Sequence, residues 1–218
     1  MSIGKEVGLL FAVLFLPGMI SQAEAVSPEA FERVMYHIQI LAVSIPQVLL
    51  VVWFGDLRRP GSSRAYGFRK PEARDITATV IALAASWASV WLLSVALSAA
   101  GINGEAIEPG VEWTFGRQEL IPLAFLSTLA IGYREEIFFR AFIADRAEEA
   151  GTDPKIALAA AAFIFALGHL YQGVLGFIVS LTIGLVLAAV YLRTRSLHGI
   201  AIAHGLYNLV VLLAAGAT

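Results

Sequence analysis

Apolar runs long enough to cross a bilayer recur along this sequence, and they decide its fold class before any motif is read. A spanning helix needs about 20 mostly apolar residues, because in hydrocarbon the backbone can satisfy its polar groups only internally. Six runs meet or approach that length: Met35–Phe54, Ile76–Ala100, Leu120–Asp145, Ile156–Tyr171, Gly173–Leu192 and Leu197–Ala215. A shorter run, VGLLFAVLFLPGMI, precedes them; it is broken at Pro17-Gly18 and followed by Ala23-Glu24-Ala25, which has the form of a small-x-small cleavage site. It reads either as a first transmembrane helix or as a cleavable signal peptide occupying residues 1–25. Composition agrees, with 58% hydrophobic and only 15% charged residues and a mean hydropathy of +0.76. The expected fold is an all-α polytopic membrane protein, six or seven transmembrane helices in a bundle around an intramembrane polar cavity. Its parts are residues 1–25, residues 26–119 with the N-terminal helices and a basic loop, and a four-helix core at 120–215.

Charge narrows the partners and sets an orientation. A net charge of −2 argues against nucleic acid, which requires a concentrated basic surface. The chain has no cysteine, so disulfides, thiol nucleophiles and thiolate ligands are excluded. Basic residues stay on the cytoplasmic side. The loop Asp56–Asp75 holds Arg58, Arg59, Arg64, Arg69, Lys70 and Arg74 and is placed inside; tracing the spans from it leaves only Arg33 and Arg117 among the loop cations outside. The C-terminus then lies outside. The segment with Pro60-Gly61-Ser62-Ser63 and Pro71 reads as a topology signal, irregular or lying on anionic headgroups.

Against that background the stretch GYREEIFFRAF is costly. It puts Arg134, Glu135, Glu136 and Arg140 inside an expected span. Each charge at mid-helix costs ~2.5–3.5 kcal/mol, so the set adds on the order of 10 kcal/mol if unpaired. Glu136 and Arg140 are four apart and share a helix face, so they can pair. Arg134 does not share that face and is expected to turn towards a loop or headgroups. Glu135 has only apolar neighbours at i±3 and i±4, so its partner is expected on another helix. Two later spans offer one: Phe165 and His169 stand four apart, and so do His204 and Asn208. By a rise of 1.5 Å per residue, Glu135 lies about 15 Å, His169 roughly 20 Å and His204 about 10 Å from the inner end of its span, so the three can meet. His37 and His198, near span ends, read as structural; Tyr171 and Gln172 are possible cavity neighbours only.

Glu135-Glu136-xxx-Arg140, Phe165-xxx-His169 and His204-xxx-Asn208, in that order on successive helices, resemble the CAAX-protease and bacteriocin-processing family, whose eukaryotic members are type II CAAX prenyl endopeptidases. The resemblance covers about Leu120–Ala215. It implies a glutamate-dependent intramembrane endopeptidase acting on a membrane-associated peptide or protein, with no cofactor. Glu135 matches the general base, His169 helps hold and deprotonate the water, and His204 with Asn208 match the oxyanion donors. Glu136 is commonly needed for activity and, with Arg140, orients these groups; Phe165 shapes the cavity. The compact size points to a prokaryotic cell membrane.

Other readings use the same residues. A zinc protease would take Glu135, His169 and His204 as ligands, although the His-Glu-x-x-His spacing is missing. A proton-coupled transporter also buries Glu and His, yet no internal repeat is visible. A non-proteolytic bacteriocin-immunity or binding protein would keep the pocket without the chemistry.

Overall fold

The computed structural model describes residues 2–21, 28–58, 66–102 and 116–215, and every regular element among them is helical. In chain order these are α1 (Ile3–Leu14), α2 (Leu16–Ser21), a single turn α3 (Pro28–Phe31), α4 (Val34–Arg58) and α5 (Ala73–Ala99). Next, α6 (Ile121–Glu136) continues through a π-turn, Ile137–Phe142, into α7 (Ile143–Glu149). Finally come α8 (Pro154–Leu167), α9 (Gly173–Thr194) and α10 (Leu197–Ala215). The small-x-small motif at 23–25, the Pro60–Ser63 stretch and the acidic segment at 103–115 lie outside the described residues.

Among the described residues, four helices are long and apolar enough to cross a membrane: Val34–Arg58, Ala73–Ala99, Leu170–Thr194 and Leu197–Ala214. Their outer faces carry Trp53, Trp91, Leu49 and Val80, all exposed, a surface that suits lipid rather than water. The chain is an integral membrane protein. Two expected spans take a different form. Leu120–Asp145 is helical almost throughout, but it changes register at the π-turn, and its charges remove it from the plainly apolar class. The Ile156–Tyr171 run stops at Leu167, giving a 14-residue helix about 21 Å long against about 30 Å of hydrocarbon. Its start is capped by the Asp153 carboxylate, which accepts from the Lys155 N–H at 2.8 Å, with Pro154 in the first turn. Beyond Gly168 a short 3₁₀ turn, Leu170–Gln172, leads to Gly173 at φ +79, a left-handed bend that glycine takes without strain.

α10 packs against α6 and α5, α9 against α8 and α5, and α4 against α6. The approach of α6 and α10 is set by two glycines. A Cβ on Gly132 of α6 would lie 2.4 Å from the Ala201 carbonyl oxygen, and one on Gly205 of α10 would lie 2.8 Å from Leu129 Cα. Only hydrogen at both positions lets the two backbones touch. A polar staple fixes the same pair at one end. His198 donates from Nε2 to the Arg69 carbonyl at 2.7 Å, and its Nδ1 accepts from the Tyr133 hydroxyl at 2.7 Å. Buried Asp75 accepts from Arg69 at 3.0 and 2.7 Å, from the Glu72 N–H at 2.7 Å and from the Ser196 hydroxyl at 2.5 Å. His37 is likewise fully satisfied, by Ser127 Oγ at 2.8 Å and the Phe31 carbonyl at 2.9 Å. Both histidines therefore hold helices together, as their positions near span ends led us to expect.

The first segment is packed into the bundle. Phe11 and Phe15 meet Phe138 and Phe139 of the π-turn, with the Phe15 ring centred 5.0 and 4.8 Å from those two. Glu6, fully buried, faces Arg58 at 2.5 Å and Arg146 at 3.9 Å, which gathers the ends of α1, α4 and α7 at one end of the bundle.

Candidate active site

The four charges of GYREEIFFRAF are paired, but not as their spacing alone suggests. Glu136 and Arg140 do meet across one helical turn, at 3.0 Å, with both side chains essentially inaccessible. The Arg140 guanidinium also donates to the Gly184 carbonyl at 3.1 Å and lies 5.1 Å over the Phe165 ring. Gly184 is small enough to permit this, since a Cβ there would sit 3.3 Å from the guanidinium.

Arg134 does not turn away. Its guanidinium folds back on Glu135 Oε1 at 2.5 Å, so Glu135 finds its first partner on its own helix. Adjacent residues point about 100° apart around a helix. The length of the arginine arm closes that gap, and the Phe15 ring, 5.8 Å from the guanidinium carbon, gives the arm a surface to lie on. Glu135 Oε2 is left facing His204 Nε2 at 3.7 Å, too far for a hydrogen bond but close enough for one small molecule to touch both.

The second partner of Glu136 comes from α10: His204 Nδ1 lies 2.7 Å from Glu136 Oε1. A carboxylate only accepts, so His204 donates through Nδ1 and its Nε2 is turned towards Glu135. The same carboxylate oxygen thus receives Arg140 and His204, while Oε2 of Glu136 has no hydrogen-bond partner among the described residues. This dyad depends on the glycine contact, because Gly132 and Gly205 lie within a turn of Glu136 and beside His204.

His169 lies just beyond α8, two residues past its last turn, rather than inside a continuous helix. Its Nδ1–H donates to the Phe165 carbonyl at 3.0 Å, which leaves Nε2 as the accepting nitrogen. The Phe165 ring stands between the two histidines, 4.6 Å from His169 and 5.9 Å from His204. A cavity of about 90 Å³ opens here, lined by Glu135, Arg134, Phe165 and His169 on one side. Its other wall comes from the first segment: Leu14, Phe15, Gly18 and Met19. Tyr171 and Gln172 bond to each other at 2.9 Å and are not among its lining residues.

Asn208 follows His204 by one turn of α10 and is half-buried. Among the described residues no three His, Asp or Glu side chains form a group with metal-binding geometry. Sequence reasoning missed three contributions: Arg134 as the clamp on Glu135, the Gly132–Gly205 contact, and the N-terminal wall. A glycine three residues before Glu135 and another immediately after His204 were the available signal for the second; nothing local signals the other two.

Residues 117–210 match the family of type II CAAX prenyl endopeptidase Rce1-like proteins. The matched segment contains every motif residue from Glu135 to Asn208. No curated protein and no solved structure shows significant similarity to the chain.

Proposed function

We propose that this chain, whose residues 117–210 match the Rce1-like family of type II CAAX prenyl endopeptidases, hydrolyses a peptide bond of a membrane-associated peptide or protein using water activated by Glu135 and His169. The observation that carries the reading is one cavity lined by both Glu135 and His169, with the free Oε2 of Glu135 turned to His204 Nε2 at 3.7 Å.

In this reading a water loses one proton to Glu135 Oε2, while its other O–H donates a hydrogen bond to His169 Nε2, which aims an oxygen lone pair at the scissile carbonyl. Arg134 occupies Oε1 and thereby directs the proton to Oε2. As the new C–O bond forms, the carbonyl π pair moves onto oxygen. Protonated His204, steadied by Glu136, donates from Nε2 to that oxyanion, and the Asn208 amide one turn away supplies a second donor. Collapse of the tetrahedral intermediate breaks the C–N bond, and the leaving amine takes the proton held by Glu135. Arg140 acts at one remove, fixing Glu136 and so the orientation of the His204 ring.

The bilayer is the working environment, with the Arg58–Arg74 loop on the cytoplasmic side of a prokaryotic cell membrane. The test is cleavage by the purified protein in detergent of a peptide that accumulates uncleaved in a strain lacking it. Cleavage that survives exhaustive chelation supports the glutamate mechanism. Cleavage that vanishes with the chelator and returns with stoichiometric zinc overturns it in favour of a zinc enzyme, and no cleavage at all favours an immunity or binding protein.

A further inference from the structure

The two walls of the cavity have different origins. Glu135, Phe165 and His169 lie in the segment that matches the endopeptidase family, whereas Phe15, Gly18 and Met19 lie far outside it. We infer that the break in the first helix, Phe15–Met19, forms the side-chain subsite beside the scissile bond, and that Gly18 and Met19 set the size of the apolar side chain accepted there. The inference rests on the endopeptidase reading above.

The break is built in by the sequence. Pro17 lacks an N–H and cannot continue the hydrogen-bond ladder of α1, so the helix ends at Leu14 and restarts at Leu16. Gln47 of α4 holds this corner by donating from Nε2 to the Leu14 carbonyl at 3.0 Å. Phe15 is anchored on Phe138 and Phe139, so the corner is fixed against the helix that carries Glu135. Beyond it the wall is open and adjustable. A Cβ on Gly18 would meet nothing within 4 Å, while the Met19 side chain lies 3.5 Å from a Cβ built on Gly168, the residue before His169.

Size is the selective property. The cavity holds about 90 Å³, well under the ~300–1,000 Å³ of sites that enclose a whole ligand. It has room for a water and a small side chain, not for a length of peptide. Arg134, Glu135 and His169 make one side of that space polar, while Leu14, Phe15 and Met19 make the side formed by the first segment apolar, so a small aliphatic side chain fits against that wall better than a charged one.

The test compares kcat/KM for peptides with Ala, Val, Leu or Phe beside the scissile bond. Met19→Ala should move the preference towards the larger side chains by about 10-fold or more, the usual worth of a methylene or two in such a pocket. Gly18→Leu should move it the other way, and Val13→Ala, exposed on the same segment, should not move it. Unchanged ratios in an active Met19→Ala enzyme would overturn the subsite and leave hydrolysis standing. Because the chain has no cysteine, Gly18→Cys offers a single thiol, probed with a peptide carrying an activated disulfide on that side chain. A mixed disulfide that unmodified peptide competes away supports the subsite even if the wild type cleaves nothing, which would sink only the hydrolytic reading. No mixed disulfide and no cleavage would sink both. A mature protein whose mass lacks residues 1–25 would also refute the inference.

Discussion

Replacing Arg140 with methionine removes a buried charge while keeping most of the packing of its stem. Arg140 is 1% exposed and Glu136 0%, so solvent screens neither and the pair needs no discount for exposure. In the Arg140→Met variant Glu136 keeps only His204, and its Oε2 already lacks a partner. Breaking one side of a buried pair costs about 3–5 kcal/mol, because the remaining charge is stranded. For a chain of this size each kcal/mol lowers Tm by about 2–4 °C, so the variant should melt roughly 10 °C below wild type. The assay is thermal unfolding in detergent, followed by tryptophan fluorescence. Adding Glu136→Gln should restore part of the loss, since a neutral amide is cheaper to bury and its oxygen still accepts from His204 Nδ1. If Arg140→Met melts within about 3 °C of wild type, or if the second substitution only adds to the damage, the pair is not what holds Glu136 in place.

Two further outcomes follow from the same geometry. Gly205→Ala puts a methyl 2.8 Å from Leu129 Cα, backbone that cannot rotate away, so α6 and α10 must part. The overpacking should cost about 1–3 kcal/mol, read as a lower Tm, with a larger proportional loss of cleavage because the Glu136–His204 contact stretches; an active, fully stable variant would contradict the glycine contact. Asn208→Ala should slow kcat by about 10²–10³ with little change in KM or Tm, and a rise in KM at unchanged kcat would make Asn208 a substrate-positioning residue instead.

The helices and the order of the motifs were legible because both are local: apolar length marks a span, and i,i+4 spacing brings Glu136 to Arg140. Partners across helices were harder. That His204 meets Glu136 follows from how closely α6 and α10 approach, and that closeness is encoded in Gly132, three residues before Glu135, and in Gly205, one of the unspecified positions of His204-xxx-Asn208. Arg134 defeated the face argument because a long flexible arm can reach a neighbour that its Cβ points away from. His169 was expected within a span, whereas the helix stops at Leu167, where Gly168 lets the chain turn into the 3₁₀ segment. The N-terminal wall was not legible at all, since no local pattern in VGLLFAVLFLPGMI says which helix it will pack against.

The central claim is that Glu135 is the base. Glu135→Gln keeps the shape of the side chain and an oxygen for Arg134, but its amide cannot take a proton from water. Single-turnover cleavage by this variant, purified in detergent and melting like the wild type, tests the claim most directly. The account predicts no detectable product on a timescale that lets the wild type finish; cleavage at a near-wild-type rate would remove Glu135 from that role.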